Sequence, residues 1–178
     1  MNLEQQYKQN LRDAMSLLAS YDDTVFLGQA VNYAGTGLFD TLNHLPESKK
    51  IEFPVAENFQ MGYSIGMSLM GLVPVSTFPR WNFLLCAADQ LVNHLDKLEA
   101  MSAGGYKPKI IIRVASGSRI PVDPQQQHLG DFSDAFKLLC TNIDIIKLES
   151  HNDIVPAYNQ AYESYRSSIL VEYPDYGK

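Results

Sequence analysis

No apolar run in the 178 residues approaches the ~20 consecutive positions that a bilayer span requires. The opening stretch, "MNLEQQYKQNLRDAM", is polar and charged and does not read as a secretory signal. Basic residues are scarce: 14 Lys and Arg against 20 Asp and Glu leave a net charge of −6. With no basic stripe to neutralise phosphates, nucleic acid is not an expected partner, and neither is a membrane. The only cysteines, Cys86 and Cys140, lie far apart in apolar surroundings. They read as reduced core thiols of a cytoplasmic protein, not as a disulfide or metal pair. His44, His94, His128 and His151 show no ligand spacing with each other or with cysteine, so no metal site made by this chain alone is expected. A glycine-rich phosphate fingerprint is also missing, because the glycines of "GQAVNYAGTG" are wrongly spaced for one. There is no internal repeat, low-complexity tract or linker.

What is there reads as one α/β domain over residues 1–178. A chain of this length, 46% hydrophobic and 19% charged, can bury roughly two-thirds of its surface around a single core. Leu3, Tyr7, Leu11, Met15 and Leu18 carry the three-to-four spacing of an amphipathic helix over 3–20. β-Branched runs predict six strands at 24–28, 51–55, 73–78, 108–115, 143–148 and 168–173. Helices are predicted at 37–45, 57–70, 84–102, 131–139 and 153–167, with a polar loop, "SGSRIPVDPQQQHLGD", after the fourth strand. Alternating strands and helices imply a parallel sheet of about six strands, flanked by helices on both faces.

Ligands of such sheets bind beyond the carboxyl ends of the strands. The segments leaving those ends, 28–37, 54–59, 78–83 and 114–131, contain Gln29, Glu57, Trp81, Phe83 and His128. Glu57 heads an apolar helix whose Gly62 and Gly66 share one face, a groove where another backbone or a flat ligand can approach. Each of these glycines costs about 1 kcal/mol relative to alanine in a helix interior. Two accounts of Glu57 are open on periodicity alone. It is a solvated acid at the positive end of a helix dipole, or a carboxyl at a subunit seam sharing a proton with a bound heterocycle.

The segment "PVAENFQMGYSIGMSLMGLVPVSTFPRWNFLLCAADQLVNHLDKLEAMSAGG" resembles the beta subunits of pyruvate and branched-chain 2-oxo acid dehydrogenases. "PKIIIRVASG", "QQHLGDF" and the closing "ILVEYPDYG" are similar to later motifs of the same subunits, in the same order. The resemblance implies the pyrimidine-binding domain of a thiamine diphosphate enzyme, with Glu57 as the glutamate that bonds the aminopyrimidine ring and activates the cofactor. It implies that Phe83 stacks on that ring and that His128 handles protons on the substrate. Trp81 is a neighbouring candidate. Gln29 stands near the cofactor where those subunits usually carry glutamate, and Phe59 stands where they carry glycine.

The chain ends at Lys178, where the beta subunits continue into another domain, and it has no Gly-Asp-Gly segment followed by asparagine about thirty residues on. The resemblance therefore implies that magnesium and diphosphate are held by a separate subunit. The chain would be inactive alone and would pair with that subunit in a hetero-oligomer with two copies of each. Carbon–carbon bond cleavage or two-carbon transfer on a small-molecule substrate is the implied chemistry, of transketolase or 2-oxo acid decarboxylase and dehydrogenase type. The alternatives are a non-catalytic regulatory or assembly protein derived from such a domain, and an unrelated doubly wound ligand binder. Arg80, Arg113 and Arg119 could each hold a substrate carboxylate or phosphate, or serve structural or solvated roles.

Overall fold

The computed structural model describes residues 1–120 and 123–176. Pro121 and Val122 of the polar loop, and Gly177 and Lys178 at the carboxyl end, lie outside them. Six parallel strands form one sheet: β1 (Thr24–Gly28), β2 (Lys50–Glu52), β3 (Val73–Phe78), β4 (Ile111–Ala115), β5 (Ile143–Lys147) and β6 (Ser167–Glu172). Their order across the sheet is β2-β1-β3-β4-β6-β5. Every residue of β3 and β6 is buried, as strands covered on both faces must be. The α/β class and parallel sheet expected from the alternating pattern are what the molecule has.

Two apolar layers sandwich the sheet. On one face α1 (Leu3–Ala19), α2 (Gly37–Leu42) and α7 (Ile154–Glu163) pack through Tyr7, Leu11, Met15, Leu18, Leu42 and Tyr158. On the other, α3 (Glu57–Leu69), α4 (Trp81–Leu84), α5 (Leu98–Met101) and α6 (Ser133–Leu139) accompany Met61, Trp81, Leu84, Leu91 and Phe136. α1 starts with a full capping box, in which Asn2 and Gln5 satisfy each other's backbone N–H. The chain leaves β1 toward the α2 layer but leaves the adjacent β3 toward the α4 layer. That reversal opens a crevice at the carboxyl ends, which is where ligands of such sheets sit. No helix of the described residues is long and apolar enough to cross a membrane.

Several boundaries differ from expectation for identifiable reasons. The fourth strand starts at Ile111 rather than 108, because Pro108 has no N–H for the ladder. The Ser167 hydroxyl takes over there, accepting from Ile110 N and donating to the Pro108 carbonyl. The last helix stops at Glu163, where Ser164 turns extended. The long helix expected over 84–102 is broken into short pieces: a 3₁₀ turn at Leu85–Ala87, a π turn at Gln90–Leu95 and α5. The π turn delivers Asp96, whose side chain is fully buried, to the entrance of β5. Its carboxylate accepts from the backbone N–H groups of Thr141 (2.7 Å) and Asn142 (2.6 Å) and from Lys97 (2.6 Å).

Burial opposes the charge on Asp96, yet Lys97 and the two backbone donors hold its carboxyl below the ordinary value of 3.8. Asp96→Asn is therefore expected to lose about 1–3 kcal/mol of stability, read as a lower urea midpoint at unchanged m. Because the folded value is depressed, the wild-type advantage is present at neutral pH and is lost as pH falls from about 4 through that folded value. The two thiols also part company. Cys140 is buried, which pushes its thiol up to about 11, whereas Cys86 is exposed and is not the core residue its apolar neighbours suggested.

Candidate functional site

Glu57 is the first residue of α3 and is only 8% exposed. Its Oε1 accepts a 2.9 Å hydrogen bond from the Gln29 side-chain amide, while no described residue bonds Oε2. Gln29 is held in place by its neighbours. Gly28 lies so close to β3 that an added Cβ would sit 2.4 Å from the Thr77 carbonyl oxygen. Ala30 has φ 59°, and its N–H donates to Glu52 Oε1 at 2.7 Å. The Asn32 N–H donates to the other Glu52 oxygen at 2.8 Å. Glu52 thus pins the segment leaving β1, a role that no local pattern announces because its partners lie 20 and 22 residues away.

Phe83 and His128 form a second pair, with ring centroids 4.8 Å apart. Phe83 lies in α4, directly after β3; His128 lies in the loop after β4 with φ 59°, an uncommon conformation for a side-chain-bearing residue. Arg80 holds that loop, donating from Nη1 to the carbonyls of Ser118 (2.9 Å) and His128 (3.0 Å). The loop folds back so tightly that a Cβ on Gly117 would fall 2.2 Å from Leu129 Cα. His128 Nδ1 is buried and has no partner among the described residues, the condition of a group that awaits water or a ligand. Trp81 does not belong to the site: it is fully buried against Phe132 and Phe136, a core residue with no exposed surface.

All four retained positions, Gln29, Glu57, Phe83 and His128, follow carboxyl ends of strands. The structure joins them as two pairs, with no hydrogen bond or ring contact between the pairs among the described residues. The three arginines separate by environment. Arg113 is buried in a pair with Glu172 (2.7 Å), Arg119 is an exposed partner of Asp123, and Arg80 braces the His128 loop. The glycine face of α3 is an open groove of about 560 Å³ lined by Gly62, Gly66, Tyr63, Met70 and Gln90. A second cavity of about 450 Å³ lies beyond β4 and β6, bordered by Glu172, Thr41 and Arg80.

Over 133 residues the chain is 33% identical to the mitochondrial pyruvate dehydrogenase E1 component subunit beta of Saccharomyces cerevisiae, a match covering 71% of this chain and 35% of that one. The chain is a relative of the 2-oxo acid dehydrogenase beta subunits. The 2-oxoisovalerate dehydrogenase subunit beta of Pseudomonas aeruginosa is 32% identical over 117 residues, 63% of this chain and 33% of its own. In each case this chain spans about a third of the relative's length. No protein-family model matches it. Among solved structures, the transketolase of Campylobacter jejuni superposes over 98% of this chain and 26% of its own, with TM-score 0.71 and 14% identity. A "Split gene transketolase, inactive beta4 tetramer" covers 98% of this chain and 52% of its own, with TM-score 0.69 and 13% identity. At such identities the structures speak for fold alone, and the fold is of the transketolase-like α/β type.

Proposed function

We propose that the chain is the pyrimidine-binding domain, over residues 1–178, of a split thiamine diphosphate-dependent enzyme, and that Glu57 activates the cofactor. The observation that carries this reading is the Glu57 carboxylate itself. It is almost buried, follows the carboxyl end of β2 at the head of α3, and has one oxygen held by Gln29 and the other without a bond to any described residue. An aminopyrimidine ring suits that arrangement, since a ring nitrogen can share a proton with Oε2 where little water competes. Phe83, half-buried after the carboxyl end of β3, is the ring on which a flat heterocycle would stack in this reading.

Thiamine diphosphate, when bound, supplies an electron sink for breaking a carbon–carbon bond beside a carbonyl. The chain's own part is to bind the pyrimidine half and hold the proton at Glu57 Oε2. His128, whose loop Arg80 braces through the backbone, is the second proton-handling group in this reading, and its buried Nδ1 has no partner among the described residues. In this reading diphosphate and magnesium are held by a partner subunit in a hetero-oligomer. Calorimetric titration with thiamine diphosphate tests this: tight binding is expected only with a diphosphate-binding subunit present. Full affinity in the isolated chain contradicts the split.

Self-association through the α3 groove belongs to the same reading. Phe59 (59% exposed) and Met70 (83% exposed) border a glycine face that a second polypeptide can cover. A Cβ at Gly66 meets nothing within 4 Å in the single chain. Gly66→Ala is therefore expected to stabilise the isolated chain by about 1 kcal/mol while weakening its association in sedimentation experiments. Association left unaffected would mean that the groove is not the contact.

A further inference from the structure

The bond between Gln29 and Glu57 joins two segments that the fold fixes independently. Glu57 is set by the start of α3. Gln29 lies between Gly28, which is wedged against Thr77 and whose carbonyl accepts from Phe53 N at 2.9 Å, and Ala30, which is held in a left-handed conformation. A left-handed alanine is strained, and it persists here because Glu52 captures the N–H groups of Ala30 and Asn32. The outcome of this strain is the placement of one side-chain amide on one carboxylate oxygen. Glu52, the carboxylate that braces this segment, has both oxygens engaged by those backbone donors.

We propose that Gln29 is a positioning residue: it holds Oε1 of Glu57 so that Oε2 faces the bound heterocycle, and, being an amide, it denies Glu57 a second carboxyl with which to share a proton. This rests on the reading of Glu57 given above. An ionised carboxylate only accepts hydrogen bonds, so the amide N–H is the group that must face it. A carboxyl at position 29 would instead create an acid pair at hydrogen-bond distance, in which one proton is retained between the two.

The test is a ¹³C titration of the side-chain carboxyl carbons in the full chain, with the Glu57 signal assigned by its loss in Glu57→Gln. In Gln29→Glu the Glu57 signal is expected to titrate in two steps at least about one pH unit apart, the signature of coupled groups. Gln29→Ala is expected to keep a single step but to lower thiamine diphosphate affinity of the complex with the diphosphate-binding subunit about tenfold. Two independent, ordinary carboxyl titrations in Gln29→Glu would overturn the contact; unchanged affinity in Gln29→Ala would overturn the positioning role. The carbon titration requires no ligand. Coupling without cofactor binding in any form would therefore refute the thiamine reading, and with it the orientation toward a heterocycle, while leaving the Gln29–Glu57 pair standing.

Discussion

Glu57→Gln, in a complex with a diphosphate-binding subunit, is expected to slow exchange of the thiazolium C2 proton of thiamine diphosphate with deuterated water by at least ~10²-fold. That exchange is the quantity to measure because it needs no knowledge of the substrate. The substitution is well matched to the site. A glutamine at position 57 can still accept from the Gln29 amide through its oxygen, so the orientation imposed by the 2.9 Å contact survives. Its other end, however, is then an amide N–H₂ that can donate to a ring nitrogen but cannot take up or return a proton. Little loss of stability is expected, since volume and the Gln29 contact are both kept. Unchanged exchange in a folded variant would refute the activating role and favour a regulatory or assembly protein built on the same fold.

Arg113→Met is expected to cost about 3–5 kcal/mol of folding stability, measured by urea denaturation with m unchanged. Arg113 on β4 is 1% exposed and donates to both oxygens of Glu172 on β6, from Nε at 2.7 Å and from Nη2 at 3.0 Å. Nη2 also reaches Thr41 in α2, and Tyr158 of α7 donates to Glu172 at 2.5 Å. Burial works against the arginine's charge, but the carboxylate beside it more than restores that charge and pushes the group further up from its ordinary value. Methionine fills the space but leaves a largely buried carboxylate with Tyr158 and no cation. Most of the cost is that stranded charge rather than the bond itself. Arg113→Met with Glu172→Gln should accordingly recover at least half of the loss. A double variant no more stable than the single one would mean that packing, not charge, sets the cost.

These two residues mark the boundary of what local pattern reveals. The position of Glu57 was legible in a local pattern, an acid at the head of an apolar helix with two glycines on one face, whereas the chemistry proposed for it came from the resemblance. Arg113 looked like one of three interchangeable arginines, because nothing at positions 110–115 says that Glu172 lies beside it. The same holds for Asp96, whose polar partners at 141 and 142 force a wide turn into what periodicity reads as one continuous helix. Trp81 misled in the opposite sense. Its place at the end of a strand suggested a ligand site, but the apolar side chains of Phe132 and Phe136, fifty residues on, enclose it.

By itself the sequence determined the alternation of strands and helices, the parallel sheet, the carboxyl-end segments and the acid at the head of α3. Those follow from period, turn residues and cap preferences, which act over a few neighbouring positions. That Gln29 bonds Glu57, that His128 leans on Phe83, that Glu52 and Arg80 brace the loops, and that Trp81 is core emerges from the folded arrangement. Such contacts join residues tens of positions apart, and they depend on how strands are ordered in space, which short-range pattern does not encode.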